Sequence, residues 1–318
     1  MDVATGRVLY AREMHRRMPP ASTTKILTAV VVLERLSPWA TVTISRSAAA
    51  VRTGSVIGLE AGQRWQVDDL LRALLMGSAN DAAVALAEAA AGGIPRFSDL
   101  MNAKARALGA RSSHFTNPSG LHDRRHYTTA HDLALITRHA LRNPLFAGIV
   151  RLPSWVLHRP GEAPREIVNT NKLLAAYDGA DGVKTGHTPA AGYTLAGSAS
   201  RNGWQLLAVV LKSQDMYGDG SRLLDYGFEH FAPRNVARRG EAVASVPVGR
   251  GKKRLIATVS RDVLVVTRRG AVVSTRVSWR SGLQPPIAAG AQVGTVRFVE
   301  GKDVIASATL IAAKRVTR

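Results

Sequence analysis

Pro19-Pro20-Ala21-Ser22-Thr23-Thr24-Lys25-Ile26-Leu27-Thr28-Ala29-Val30-Val31-Val32-Leu33 opens on two prolines and closes in a run that is apolar almost all the way round. Prolines set a helix entry, so the spacing predicts a helix over 23–36 with Ser22 in or near its first turn. A helix that is apolar on every side belongs in a domain interior. Ser22 and Lys25 stand three residues apart and share one face of it. A serine hydroxyl is a poor nucleophile at neutral pH and needs a base beside it. Lysine is that base only where burial or a second cation destabilises its ammonium form. A lysine on an ordinary helix is solvated, but Ile26, Leu27, Val30 and Val31 leave little of this helix facing water. The positive end of the helix also favours negative charge developing on Ser22.

Two more short words follow. Ser78-Ala79-Asn80 falls in a break between a helical stretch over 67–76 and a second one that starts at Asp81 and stops at Gly92-Gly93. From there the Ser78 hydroxyl can bridge Lys25 to a leaving amine and shuttle a proton. The Asn80 amide can donate to a substrate carbonyl and accept from Lys25. Alone, the triplet reads as a helix cap; beside the other words it reads as part of a site. Lys184-Thr185-Gly186 lies on a strand over 182–186. A strand at a cleft margin pairs with an extended peptide. Lys184 and Thr185 would hold a terminal carboxylate, Lys184 would be the second cation near Lys25, and Gly186 would allow close backbone approach. The natural oxyanion donors are the backbone N–H groups of Ser22 and His187, which makes His187 a backbone donor rather than a base.

Around these words the periodicity predicts helices over 95–108 and 129–141, the second opened by a Thr129/Asp132 capping box. Strands follow over 182–186, 193–200 and 205–212, then a helix over 221–231. The first residues, Met1-Asp2-Val3-Ala4-Thr5-Gly6-Arg7-Val8-Leu9-Tyr10, read as a strand end, a turn at Ala4-Thr5-Gly6 and a returning strand over 7–11. Its first arm is short and no charged-then-apolar leader precedes it, so Met1 reads as a truncated or misassigned start. Helices between an early hairpin and late strands imply one antiparallel sheet built from both ends of an α/β (α+β) domain over 1–232. From 233 to 318 the chain turns to Val-rich segments at 241–248, 255–259, 263–267, 271–279, 292–299 and 304–312. Gly249-Arg250-Gly251, Gly270, Pro285-Pro286 and Gly301 punctuate them, which predicts a small all-β, sandwich-like domain.

Composition excludes several classes. No cysteine is present, so disulfides and thiolate metal sites are ruled out, and no apolar run is long enough to span a bilayer. Lys+Arg number 43 against 23 Asp+Glu, a net +20. Between Arg234 and Arg318 fall 17 basic and 4 acidic residues, a net +13. Such a charge reads either as a well-solvated surface or as attraction to a polyanion: nucleic acid, the anionic head groups of a membrane surface, or an acidic (anionic) cell-wall polymer. No basic stretch carries interleaved aromatics or a nucleic-acid motif, so nucleic acid is not expected. His122-Asp123-Arg124-Arg125-His126 has the spacing of two zinc ligands, but it lacks the glutamate and sits among loop residues. No metal or other cofactor is expected.

The three words, in this order, resemble the D-alanyl-D-alanine carboxypeptidases, the low-molecular-mass penicillin-binding proteins. The resemblance extends to Asp2-Val3-Ala4-Thr5-Gly6-Arg7-Val8-Leu9, Gly77-Ser78-Ala79-Asn80-Asp81-Ala82-Ala83 and Thr116-Asn117-Pro118-Ser119-Gly120-Leu121. It continues in Asp181-Gly182-Val183-Lys184-Thr185-Gly186-His187-Thr188 and Ala191-Gly192-Tyr193. It implies a β-lactamase/transpeptidase-like first domain and an accessory second one. It implies as substrate the peptidoglycan stem peptide ending in D-Ala-D-Ala, with Ser22 attacking between the two D-alanines and water releasing the acyl-enzyme. β-Lactam antibiotics would acylate Ser22. Members work outside the cytoplasmic membrane, often held by a C-terminal amphipathic helix; here the tail Ala312-Ala313-Lys314-Arg315-Val316-Thr317-Arg318 is too short and polar for one. A class A β-lactamase would need a deacylating glutamate in a Glu-x-x-Leu-Asn pattern, and none of Glu88, Glu162 and Glu166 has it. A D,D-endopeptidase would use the same chemistry. A catalytically weak wall-binding module would rely on the basic domain, against the intact Ser22/Lys25/Lys184 set.

Overall fold

In the computed structural model, which describes residues 1–158, 163–249 and 253–317, the opening stretch folds as a 3-10 turn, Ala21–Thr24, running straight into α1 (Lys25–Arg35). Every residue from Lys25 to Val32 is buried, as an all-round apolar helix requires. Around it the chain lays down β1 (Thr41–Thr43), α2 (Arg46–Ala49) and β2 (Arg64–Gln66), which pairs antiparallel with β1. α3 (Val67–Leu75), α4 (Asn80–Ala91), α5 (Ile94–Ala107), α6 (Ala130–Ala140) and α7 (Pro144–Val150) follow. Ile26, Leu27 and Val30 share one core with Leu70, Leu74, Leu86, Phe97 and Phe146. Thr129 caps α6 by accepting from the Asp132 N–H at 3.0 Å. The reciprocal half of the capping box is not made. The Asp132 carboxylate accepts instead from Ser112 N and Ser113 Oγ, both at 2.7 Å, and so pins the chain before the 114–128 loop.

The hairpin β3 (Ser154–Leu157) and β4 (Arg165–Val168) and the short α8 (Leu173–Ala176) lead into the main sheet. Its strands β5 (Ala180–Thr188), β6 (Gly192–Arg201) and β7 (Trp204–Ser213) are antiparallel in the order β5-β6-β7, followed by α9 (Met216–His230). β5 is therefore a margin strand among the described residues. The chain start joins the opposite margin. Met1 exchanges bonds with Leu207 at 2.8 and 2.9 Å, and Val3 N donates to Gln205 O at 3.1 Å. Both ends of this unit thus build the sheet, but residues 7–11 form no returning strand. The carbonyls of Val3 and Ala4 go instead to the Arg138 guanidinium, at 2.6 and 2.7 Å.

The chain divides into two compact units at Gly227 and Phe228, inside α9. The second contains β8 (Phe231–Ala237), β9 (Ala242–Val248), β10 (Lys253–Val259), β11 (Val263–Arg268), β12 (Val273–Trp279), β13 (Gln292–Glu300) and β14 (Asp303–Ala312). A five-stranded sheet β12-β13-β14-β10-β9 and the pair β11-β8 enclose a core of Leu255, Val265, Val296, Phe298 and Leu310. The fold class is the expected one: mixed helices and antiparallel sheet, then an all-β unit. β8 escaped the sequence reading because Pro233, Arg234 and Asn235 interrupt its apolar alternation. Of the turn Gly249-Arg250-Gly251, only Gly249 lies within the described residues.

Candidate active site

Two residues of the site hold a left-handed backbone that non-glycine residues rarely adopt: Ala21, at φ 49°, directly before Ser22, and Ser78, at φ 59°. Such strain persists where the surrounding fold over-determines it. At Ala21 the over-determining contact is visible. Gly120 (φ 84°) lies so close that a Cβ on it would fall 1.8 Å from the Ala21 carbonyl oxygen. The loop 116–121 is thereby pressed onto the Ser22 turn.

That loop also sets Lys25. The Asn117 side chain accepts from Ser119 N, Ser119 Oγ and Gly120 N, a side-chain-closed turn that aims the Ser119 carbonyl inward. Lys25 Nζ donates to that carbonyl at 2.7 Å and lies 2.9 Å from Ser22 Oγ. Lys25 is fully buried. Burial above all, and then the Lys184 charge, hold its pKa well below the usual lysine range, against an opposing pull from Asp81. A neutral amine has one lone pair, and with an N–H committed to Ser119 that lone pair is free for the Ser22 hydroxyl proton. Such an arrangement can serve as a nucleophile with a base in hydrogen-bond reach and the base oriented by a third group.

The second word stands where α3 gives way to α4. Ser78 is buried, and its hydroxyl makes no hydrogen bond among the described residues. Asn80 Nδ2 donates to Thr53 O at 2.7 Å, while its Oδ1 is buried without a partner among the described residues. The described bonds of Lys25 go to Ser22 and Ser119, so the Lys25–Asn80 bond expected from sequence is not among them. Beside Asn80, the buried Asp81 carboxylate accepts from the N–H groups of Ile57 (3.1 Å), Gly58 (2.8 Å), Leu59 (3.1 Å) and Ala82 (2.9 Å). It fastens the 53–59 loop to α4 with charge-assisted bonds.

The third word reaches the first through β5. A Cβ on Gly186 would fall 2.6 Å from Thr194 Oγ1 and 2.7 Å from Ser22 N, so glycine is what lets the strand touch the nucleophile's own amide. Thr194 Oγ1, from β6, reaches both Pro20 O (3.0 Å) and Gly186 O (3.2 Å) and locks the two together. Lys184 is buried, donates to Thr185 O at 3.0 Å, and has its pKa pushed down to about 7 by burial. His187 is exposed and its ring stacks on Tyr193, centroids 4.5 Å apart.

Sequence reasoning missed the loop as a working part, although Asn117-Pro118-Ser119-Gly120 is a turn signature. It also missed His126. Its Nδ1 accepts from Thr116 N at 3.1 Å, so Nε2 carries the proton to Thr24 Oγ1 at 2.9 Å. Burial first of all pushes its pKa down to about 4. It is a neutral strut between the loop and the turn before Lys25. Of the three glutamates weighed for a lactamase, Glu88 is taken by Ser45 and Ser47, Glu166 is exposed on β4, and Glu162 lies outside the described residues. A separate cavity of about 650 Å³, lined by β7, α9 and residues 8–14, contains none of the groups above.

A buried lysine 2.9 Å from a serine that follows a strained residue, a loop carbonyl that orients that lysine, and a second buried lysine on an edge strand make up the site of an active-site serine acyltransferase. Residues 1–215 match the D-alanyl-D-alanine carboxypeptidase family, and residues 231–318 match the C-terminal domain of penicillin-binding protein 5. The chain belongs to the D-alanyl-D-alanine carboxypeptidase family. It is 32% identical to the D-alanyl-D-alanine carboxypeptidase DacF of Bacillus subtilis (strain 168) over 320 residues, 97% of this chain and 82% of that protein. Against DacB2 of Mycobacterium tuberculosis the identity is 39% over 235 residues, 71% of this chain and 80% of the other. Penicillin-binding protein 5 of Haemophilus influenzae superposes with a TM-score of 0.86 at 30% identity, covering 100% of this chain and 96% of that one.

Proposed function

We propose that this serine D-alanyl-D-alanine carboxypeptidase works through an acyl-enzyme on Ser22 with neutral Lys25 as its base. The carrying observation is the 2.9 Å approach of the fully buried Lys25 Nζ to the half-buried Ser22 Oγ. Ser22 Oγ attacks the carbonyl between the two D-alanines as its proton passes to Lys25 Nζ. The oxyanion forms against the backbone N–H groups of Ser22 and His187, where the tight packing of Gly186 sets the spacing. The tetrahedral centre collapses, the C–N bond breaks, and the leaving amine takes the proton from Lys25 through the unengaged Ser78 hydroxyl. Water then attacks the ester, with Lys25 again as base, and frees Ser22. The edge strand β5 supports pairing with an extended stem peptide, and Lys184 and Thr185 take the terminal carboxylate. β-Lactams enter by the same acylation and stop at the ester.

The substrate lies on the wall side of the bacterial cytoplasmic membrane, and this reading puts the enzyme there. For the second unit it assigns an anionic cell-wall polymer as partner. The supporting observation is Arg276 on β12 directly opposite Arg297 on β13, both exposed. Salt-sensitive co-sedimentation with purified sacculi checks that assignment. The catalytic reading is tested by D-alanine release from a soluble peptide ending in D-Ala-D-Ala. Ser22→Ala should abolish release and β-lactam labelling while leaving sacculus binding unchanged, and undiminished release from Ser22→Ala would sink the mechanism.

A further inference from the structure

Strand β5 does not pair with β6 in a single register. Ala180 stands opposite Ala199 but Gly182 opposite Ser198, so Asp181 is one residue too many, a β-bulge. From there to the hairpin the ladder is regular, with Lys184 opposite Ala196, Gly186 opposite Thr194 and His187 opposite Tyr193. The Asp181 carboxylate holds the extra residue in place. Its Oδ1 accepts from Ser198 Oγ at 2.6 Å, and its Oδ2 accepts from Ser200 Oγ at 2.5 Å and from Gln205 Nε2 at 2.9 Å. Ser198 and Ser200 belong to β6, and Gln205 belongs to β7, where it pairs with Ser200. One side chain therefore ties all three strands of the sheet together at the bulge, with charge-assisted bonds.

The register decides which residue meets Ser22. Carried on in the register of Ala180, without the bulge, β5 would set Thr185 rather than Gly186 opposite Thr194. That position has no room for a side chain, since a Cβ there falls 2.6 Å from Thr194 Oγ1 and 2.7 Å from Ser22 N. A slip of one residue also moves every side chain to the other face of the sheet, so Lys184 would leave the side on which it is buried. Successive residues of an edge strand alternate in the side to which the N–H points. The same slip would thus turn the His187 N–H from the open edge into the ladder. Asp181 itself lies five residues before Gly186, roughly 16 Å along the strand. Among the described residues its side chain bonds to Ser198, Ser200 and Gln205 and to none of the reacting groups.

We propose that Asp181 is a positioning residue for the acylation step: by holding the bulge it fixes the register in which Gly186 meets Ser22 and the His187 N–H faces the cleft. The role of that N–H rests on the carboxypeptidase reading above. Three variants of the intact chain test the proposal. Asp181→Ala removes the acceptor and keeps the extra residue, and Asp181→Asn keeps one acceptor oxygen. Deletion of Asp181 removes the extra residue itself and leaves Gly182 opposite Ser198 in an unbroken ladder. The first readout is the rate of Ser22 acylation by a penicillin, followed by mass. The second is oxidation of a facing cysteine pair, His187→Cys with Tyr193→Cys, in a chain that has no cysteine of its own. Asp181→Ala should slow acylation roughly 10²-fold, the cost of misplacing reacting groups by about an ångström, and should lower the cross-link yield. Asp181→Asn should fall between it and the wild type, and the deletion should recover most of both losses. A merely structural role gives the opposite order, because the deletion loses the same carboxylate and shortens the strand as well. An alanine variant that acylates like the wild type would overturn the proposal. So would slow acylation with an undiminished cross-link, or a deletion no faster than Asp181→Ala. Should the alanine variant not fold, the deletion is set against Asp181→Asn, and a deletion slower than that variant overturns the proposal. A wild type that is acylated by penicillin but releases no D-alanine from a peptide ending in D-Ala-D-Ala would sink the carboxypeptidase reading, while both readouts would still decide on Asp181.

Discussion

The two compact units bury different things. Around α1 and β5 the first unit encloses Lys25, Lys184, Asp81, Asn80, Asn171 and His126. Within residues 228–318 the buried polar side chains among those described are Thr258 and Thr267. A charge taken out of water costs several kcal/mol unless it is paired or gives up its charge. In the first unit three of these groups are answered from other elements: Lys25 by the 116–121 loop, Asp81 by the 57–59 backbone, His126 by Thr24 and Thr116. The second unit solves an easier problem, packing apolar side chains such as Leu255, Val265, Val296, Phe298 and Leu310 into one core. The contrast locates where the fold has been bent toward chemistry, and it can be attacked from both sides.

The largest effect should come from removing the most costly buried group. Lys25→Met keeps the volume and deletes the amine, so β-lactam acylation should fall roughly 10²- to 10⁴-fold, the range of a lost general base. The unit should stay folded, because an apolar side chain suits that interior better than an amine. In the wild type the acylation rate should rise with pH through the depressed pKa of Lys25, since only the neutral amine accepts the Ser22 proton. It should fall again for anionic probes above about 7, where Lys184 loses its charge in the free enzyme. Stability has its own sign. Both lysines titrate lower in the folded unit than in the unfolded chain, which therefore binds more protons between about 7 and 10.5. The first unit should gain stability as pH rises across that window, and less steeply in Lys25→Met. A wild-type acylation profile flat from pH 5 to 9 would break the assignment of Lys25 as base.

A matched pair of glycines sharpens the contrast at the level of backbone. Gly120 and Gly301 both hold positive φ, 84° and 60°. At Gly120 a Cβ meets the Ala21 carbonyl at 1.8 Å, whereas at Gly301 no atom lies within 4 Å. Gly120→Ala should destabilise the first unit by roughly 2–4 kcal/mol and slow acylation by shifting the Ser119 carbonyl. Gly301→Ala should cost the second unit only about 1 kcal/mol, the left-handed penalty alone. Urea melts of the two variants give the comparison directly. Equal losses would mean that the loop 116–121 gives way easily and does not clamp Ser22.

The same contrast explains what could be read from sequence. The strands of the second unit were legible because short Val-rich runs are set off by glycine, as in Val263–Arg268 before Gly270 and Gln292–Glu300 before Gly301. α1 was legible because nothing but burial explains the apolar run from Ile26 to Leu33. The short words named Ser22, Lys25, Ser78, Asn80, Lys184, Thr185, Gly186 and His187, and the fold brings Ser22 to Lys25 and Gly186 to Ser22. What stayed hidden acts through backbone atoms or at long range. Ser119 contributes a carbonyl, which any residue has. Gly120 matters against Ala21 and Thr24, nearly a hundred positions away in sequence. Asp181 works through Ser198, Ser200 and Gln205, 17 to 24 positions further on. The returning strand expected over 7–11 failed for the converse reason: alternation proposes a strand, but the turn before it is held by the distant Arg138, which local pattern cannot show.

The smallest effect should have the opposite sign. Arg276 and Arg297 face each other in register, with Ser307 next across the sheet, and neither forms an ion pair among the described residues. Like charges directly opposite on neighbouring strands destabilise a sheet by a few tenths of a kcal/mol, and threonine is a good strand former. Arg276→Thr should therefore stabilise the second unit by roughly 0.3–0.5 kcal/mol at low salt, and by less as salt screens the pair. The gain should invert when sacculi are present, because a bound polyanion favours the wild type that holds it and not the variant. A second unit that melts lower in Arg276→Thr without any polymer would show that the arginine stem packs usefully on the sheet. The unit would then be as locally consistent at this pair as everywhere else, and the one sign of a binding role in its fold would be gone.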